Sequence, residues 1–387
     1  MPAPALPPEL IGLIVEAVDA RDSTTLKACS LSALAFRKPA QKRLHEHVSV
    51  TSDHAASTAL LERLERHPHL ATYVRKLTIK LTRSANIPAL RATTASLFSL
   101  LVGVRQVHIS SLAPRWPISG DSLPWRDIVE LGVAAWLLEL GAAGRLQILS
   151  LRNVVDIPSS ALPVLASAKQ LEVCLSTMSS DETHASNSYP ENPVRLSQLS
   201  TICSPSIAKI LLHPELHEYT KHLRTLHFCW PEALEADLSS CGALQNIVYT
   251  VPLPVRDAPT PPTSKPFCAD IEAYGHIVDF LVDTLKNTPA LRRFPLTLVF
   301  QYPLASPSPQ YSELEAEFNL DPRSCRDLDA ALATHPTLTE VQCVAQPLGE
   351  LGDGQGQGHG LYLPFVCEGF ERALPRTAAR RLFSGMK

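Results

Sequence analysis

The residue types that most often carry chemistry are present in this chain, but not at spacings that build a catalytic site. Histidines occur as two close pairs, His45-x-His47 and His67-x-His69. A zinc ion takes about four ligands with a second shell behind them, and no cysteine or carboxylate stands at ligand spacing beside either pair, so surface or capping roles and no metal are expected. Gly120-Asp121-Ser122-Leu123-Pro124 has the first glycine and the serine of a nucleophile elbow, but Pro124 stands where the strained turn needs a second glycine. Gly352, Gly354, Gly356, Gly358 and Gly360 alternate with polar residues. That spacing is not G-x-G-x-x-G, and no G-x-x-x-x-G-K-[ST] occurs, so no phosphate cradle is expected. Glu313, Glu315 and Glu317 read as one exposed, solvated helix face. The cysteines at 29, 174, 203, 229, 241, 268, 325, 343 and 367 form no C-x-x-C, and free buried thiols in a reducing compartment are expected. The chain is therefore expected not to be an enzyme and to need no cofactor.

Composition narrows the partners. Of 387 residues, 45% are hydrophobic and 19% charged, enough to bury a substantial core. The formal net charge of -3 leaves no global basic field for nucleic acid or for an anionic membrane. Met1-Pro2-Ala3-Pro4 lacks the basic flank and apolar run of a secretory leader, and the run Leu131 to Leu138 stops at Glu139, short of a span. A soluble intracellular protein, cytoplasmic or nuclear, is the expectation.

Two kinds of element would position a binding surface. The first 50 residues read as three short helices. Pro7-Pro8-Glu9 starts the first, which carries Leu10, Ile11, Ile14, Val15 and Val18. Asp22 or Ser23 caps the second, with Leu26 and Cys29 inside and Leu31 beyond its end. Pro39 opens the third, running through Leu44. So much apolar surface exceeds what three short helices can cover among themselves.

From about Ser52 the pattern becomes helix, stop, strand. Ala56 to Arg66 is amphipathic, His67-Pro68-His69-Leu70 ends it, and Val74-Arg75-Lys76-Leu77-Thr78-Ile79 follows with strand alternation. The same h-x-x-h-x-h run starts again at Val104, Leu146, Ala168, Leu223, Leu244, Leu291 and Leu338. A strand flanked by one helix cannot bury its own apolar face; stacked neighbours can. The expectation is an α/β fold: a helical unit over 1–50, then an irregular leucine-rich-repeat-like solenoid over 51–366, then a capping helix and tail over 367–387. Polar or proline-rich loops interrupt the repeats at 179–193, 252–266, 303–309 and 349–360. The terminal stretch Glu368 to Phe383, with Arg372, Arg376, Arg380 and Arg381 among apolar residues, is expected to cover the end of the stack.

The first 48 residues resemble the F-box, as found in F-box-like proteins of mushroom-forming fungi. The matching residues are Leu6-Pro7-Pro8-Glu9-Leu10, Ile14, Leu26-Lys27-Ala28-Cys29-Ser30-Leu31, Ala35-Phe36, Gln41-Lys42-Arg43-Leu44 and Val48. The segment His67 to Ile79 also looks like the start of that family's irregular leucine-rich repeats. Phe36 stands where tryptophan is usual and His45 where an apolar residue is usual. The asparagine that follows L-x-x-L-x-L in regular repeats is not in place, Asn153 coming one residue early. The resemblance implies a substrate receptor of an SCF-type cullin ubiquitin ligase. Its F-box-like end would bind the S-phase-kinase-associated adaptor, here through Leu6, Pro7, Leu10, Ile11, Ile14, Leu26, Cys29, Leu31, Leu34 and Phe36. The alternative is a non-ligase scaffold whose degenerate F-box packs on its own repeats. In either case the strand residues that alternate with the buried leucines would meet a target protein: Lys76, Thr78, Lys80, Gln106, His108, Ser150, Arg152, Thr225, His227 and Arg293.

Overall fold

The structure, a computed structural model, describes residues 6–19, 22–82, 85–111, 122–179, 196–202, 204–213, 217–229, 238, 241–253, 279, 281–300, 325–347 and 371–382. Nearly all of the expected loops lie outside these residues, as do Gly120, Glu313 to Glu317 and the alternating glycines. By their contacts the residues group into two compact units, Met1–Val194 and Arg195–Lys387.

The first unit opens with helices α1 (Pro8–Glu16), α2 (Ser23–Ser32) and α3 (Leu34–Leu44). Pro8 occupies the first helical turn of α1, where its missing N–H costs nothing, and Glu9 faces the positive end of the helix. The Asp22 carboxylate caps α2, accepting from the Thr25 N–H at 2.9 Å. Leu31 falls within α2 rather than after it. The third helix also corrects the sequence reading, since it begins at Leu34 and runs through Pro39. Ala33 is extended (φ -155, ψ 152), which breaks the chain one residue ahead of Leu34. Phe36 and Ala40, one turn apart, then pack on Val15 and Leu26. That packing outweighs the single backbone hydrogen bond the proline removes.

After α3 come β1 (His47–Thr51), β2 (Lys76–Leu81), β3 (Gln106–Ser111), the short β4 (Leu123–Pro124), β5 (Ile148–Arg152), the short β6 (Val154–Val155) and β7 (Gln170–Cys174). Strands β1, β2, β3, β5 and β7 pair in that order, all parallel, with helices such as His54–Arg66, Ile87–Leu100 and Val133–Ala142 between them. The register aligns Val48, Leu77, Val107, Leu149 and Leu171 in one row and Val50, Ile79, Ile109, Leu151 and Val173 in the next. All ten are buried. Each such side chain withdrawn from water is worth about 1.5–3 kcal/mol, so these two rows are the main reason the repeats stack.

The second unit repeats the scheme with β8 (Gln198–Ile202), β9 (Thr225–Cys229), β10 (Asn246–Leu253), β11 (Arg293–Phe300) and β12 (Glu340–Pro347), parallel and in sequence order. The fold is thus α/β, built in each unit from strand–helix repeats on a parallel sheet.

No asparagine ladder is needed, because the backbone replaces it. The N–H just before or at the start of each strand donates to the carbonyl at the same place in the preceding repeat: Arg75 to Glu46 (2.8 Å), Arg105 to Arg75 (2.8 Å), Gln147 to Arg105 (2.7 Å) and Gln170 to Gln147 (2.8 Å). In the second unit Arg224, Gln245, Arg292 and Thr339 donate to Ser197, Arg224, Gln245 and Arg292, each at 2.9 Å. Asn153 instead takes a left-handed turn at φ 56 between β5 and β6, and its N–H donates to Cys174 O. The repeats also approach one another closely. A Cβ on Gly141 would lie 2.3 Å from the Cβ of buried Ser167, so only glycine fits there.

At the C-terminal end, Pro375 starts a short helix, Pro375–Ala379, within the stretch Glu368 to Phe383. The buried Asp329, on the helix Arg326–Thr334, caps it from outside. Its carboxylate accepts from Thr377 N (2.8 Å), Thr377 Oγ1 (2.9 Å) and Arg376 N (3.1 Å). Leu382 O accepts from Val341 N of β12 at 2.7 Å, so this stretch also covers part of a strand edge.

Candidate functional site

Two surfaces stand out from the packing. The first is on the helical unit. Helix α1 carries large aliphatic residues on two faces. Ile11 and Val15, four apart, are buried, and Val15 joins Leu26 and Ala40, with Val18, Cys29, Phe36 and Leu44 packed around. Leu6, Leu10, Leu13 and Ile14 turn outward and keep 51%, 45%, 60% and 45% of their surface in water. At the corner between α2 and α3, Leu31 and Leu34 are 83% and 81% exposed. Single exposed leucines are ordinary; six within the first 34 residues are not.

The structure thus sorts the residues that the sequence grouped together. Leu6, Pro7, Leu10, Ile14, Leu31 and Leu34 are exposed. Ile11 and Leu26 are buried, and Cys29 and Phe36 are half-buried against the cluster that holds Leu26. Burial leaves Ile11 and Leu26 almost no surface for an adaptor to meet, and Leu26 lies in the unit's own core with Val15 and Ala40. Leu13, which the sequence reading left out, joins the outward face; it lies three residues from Leu10, a spacing that places both on one side.

The second surface is the open face of the first sheet, where the residues alternating with the buried rows lie in register. Lys76, Gln106 and Ile148 form one line with His47; Thr78, His108 and Ser150 a second with Ser49; Lys80, Ser110 and Arg152 a third with Thr51. Lys80 and Arg152 are exposed, and neither lysine has a carboxylate partner among the described residues. His47 Nε2 meets Thr78 Oγ1 at 2.8 Å. In the second unit Thr225 accepts from the Asn246 amide at 3.3 Å, His227 Nδ1 lies 3.4 Å from Ser200 Oγ, and Arg293 pairs with Glu340 at 2.9 Å. The seven first-unit candidates therefore share one register, but Thr78 is buried there, its hydroxyl held against His47, so it is not a surface a target could meet; Thr225, His227 and Arg293 belong to the other unit.

His108 and His227 hold the corresponding middle positions of their sheets. Burial pushes the His108 imidazole down to about 4, helped by Lys76 and His47, and burial alone pushes His227 down to about 4. His108 Nε2 has no hydrogen-bond partner among the described residues. Both side chains are therefore neutral in the folded state. Unfolding returns them to their usual value near 6.5, so between 6.5 and about 4 the unfolded chain holds more protons. Stability is accordingly expected to fall as pH drops through that window. Replacing both histidines with glutamine should flatten the decline, measured as the urea midpoint at successive pH values. An unchanged pH slope in the double variant would contradict this origin.

Among the described residues no group of three or more His, Cys, Asp or Glu is placed to hold a metal ion, and no helix is long and apolar enough to cross a membrane. No family model matches the chain, and no curated protein matches it. Among solved structures it is similar to a chain in the crystal structure of the Rad7 and Elc1 complex in yeast, at 11% identity and a TM-score of 0.33, over 87% of this chain and 88% of that one.

Proposed function

We propose that this protein is a non-catalytic substrate receptor of an SCF-type cullin ubiquitin ligase, acting in the cytoplasm or nucleus. Its F-box-like helices bind the S-phase-kinase-associated adaptor, and its repeats bind a target protein. The observation that carries this reading is the outward face of α1, where Leu6, Leu10, Leu13 and Ile14 remain exposed although the same helix buries Ile11 and Val15. A degenerate F-box packed on its own repeats would instead have covered Leu10 and Ile14, which counts against the scaffold reading. The four side chains are about half exposed. Covering the remainder would release roughly 3–6 kcal/mol before the costs of association, and Leu31 and Leu34 add to it. In such a receptor no bond is made or broken by the chain. It raises the effective concentration of a target lysine near a charged ubiquitin carrier, which is a proximity effect.

The test is co-purification of the full chain with the adaptor alone. A complex stable on a sizing column, with hydrogen exchange slowed over residues 6–16, is the expected result. Free migration of both proteins at micromolar concentration would refute it.

A further inference from the structure

The open face of the first sheet has a charge of its own. Among the residues of β1, β2, β3, β5 and β7 there are three cations, Lys76, Lys80 and Arg152, and one anion, Glu172, so the face carries +2 where the whole chain carries -3. The cations are widely spaced. Lys76 and Lys80 lie four residues apart on one strand, roughly 13 Å at strand rise. Arg152 lies two strands from Lys80, in register through Ser110, or roughly 10 Å. One phosphate group cannot reach all three. Between them lie the hydroxyls of Ser110 and Ser150 and the imidazole of His108.

We propose that this face binds an extended acidic segment of the target, with carboxylates spread over several residues meeting Lys76, Lys80 and Arg152. This rests on the reading of the face as the target surface, and it names the chemistry that surface selects. Spread carboxylates complement spread cations, and Lys and Arg against carboxylate give both register and on-rate.

The experiment uses the purified full chain without adaptor and a labelled synthetic peptide of glycine and serine with glutamate at every fourth position. Its counterparts carry glutamine, or a single phosphoserine, instead. The glutamate peptide is expected to bind about tenfold more tightly than the glutamine peptide, and Lys76→Glu, Lys80→Glu and Arg152→Glu together are expected to lose about that factor. Equal binding of the glutamate and glutamine peptides, or an unaffected triple variant, would overturn the proposal. Preference for the single phosphoserine would overturn the spread-carboxylate chemistry. Because no adaptor is present, failure here is separable from failure of the ligase reading: a chain that binds adaptor but not the acidic peptide loses only this inference.

Discussion

Replacing Leu6, Leu10 and Ile14 together with aspartate is expected to weaken adaptor binding at least about a hundredfold while the chain stays folded, because each unpaired charge carried into an apolar interface costs several kcal/mol. The fold should tolerate the change because all three side chains are half exposed already. Aspartate at position 10 also lies near the positive end of α1. The matched control is Val15→Asp, which places a charge inside the cluster that Val15 forms with Leu26 and Ala40 and is expected to unfold the helical unit itself. Circular dichroism and the pull-down separate the two outcomes: intact helix signal with lost binding for the outward triple, lost helix signal for the inward single. Retained adaptor binding by the outward triple would move the docking surface away from α1.

Asp329→Ala is the second large effect. The carboxylate is buried and accepts from two backbone N–H groups and one hydroxyl of the terminal helix, so truncation leaves Arg376 N, Thr377 N and Thr377 Oγ1 without that partner. Hydrogen bonds to a charged acceptor are worth about 1.5–3 kcal/mol each, and sharing one carboxylate makes them less than additive, so a loss of about 3–5 kcal/mol is expected. The Arg380 guanidinium, which binds the Leu332, Ala333 and His335 carbonyls at the end of the helix Arg326–Thr334, should come away with it. Trypsin should then cut at Arg372, Arg376 and Arg380 well before the rest of the chain, and the melting temperature should fall. Wild-type resistance at those arginines in the variant would show that apolar contacts from Leu374 and Leu382 hold the segment without the carboxylate.

How much of this was legible in the sequence depends on what each signal encodes. The strand rows were readable because alternation with a fixed h-x-x-h-x-h offset maps directly onto one buried face. Eight runs start where strands or their lead-in residues lie. Strands β1 and β8 broke the pattern and were missed. In β1 the lead position is His45, which ends α3 with its N–H on Gln41 O. In β8 the last inward position is Thr201, wholly buried despite its hydroxyl. The helical unit showed its composition but not its facing. Which of Leu10, Ile11, Ile14 and Leu26 turns inward depends on where α2 and α3 sit, and Pro39 argued for a helix start that tertiary packing overrode. Alternation alone brought the first-unit sheet-face candidates into register, but it did not show that Thr78 would be buried among them. Their grouping into two units was not visible, because the spacing between repeats carries no such mark. The burial that makes His108 and His227 neutral was likewise invisible, since it comes from flanking strands distant in sequence.

The central claim is tested most directly by titrating the purified adaptor into the full chain in a calorimeter at several temperatures. The account predicts saturable one-to-one binding with a clearly negative heat-capacity change, the mark of apolar surface leaving water as the outward face of α1 is covered. Absence of binding, or binding whose heat capacity does not change, would contradict it.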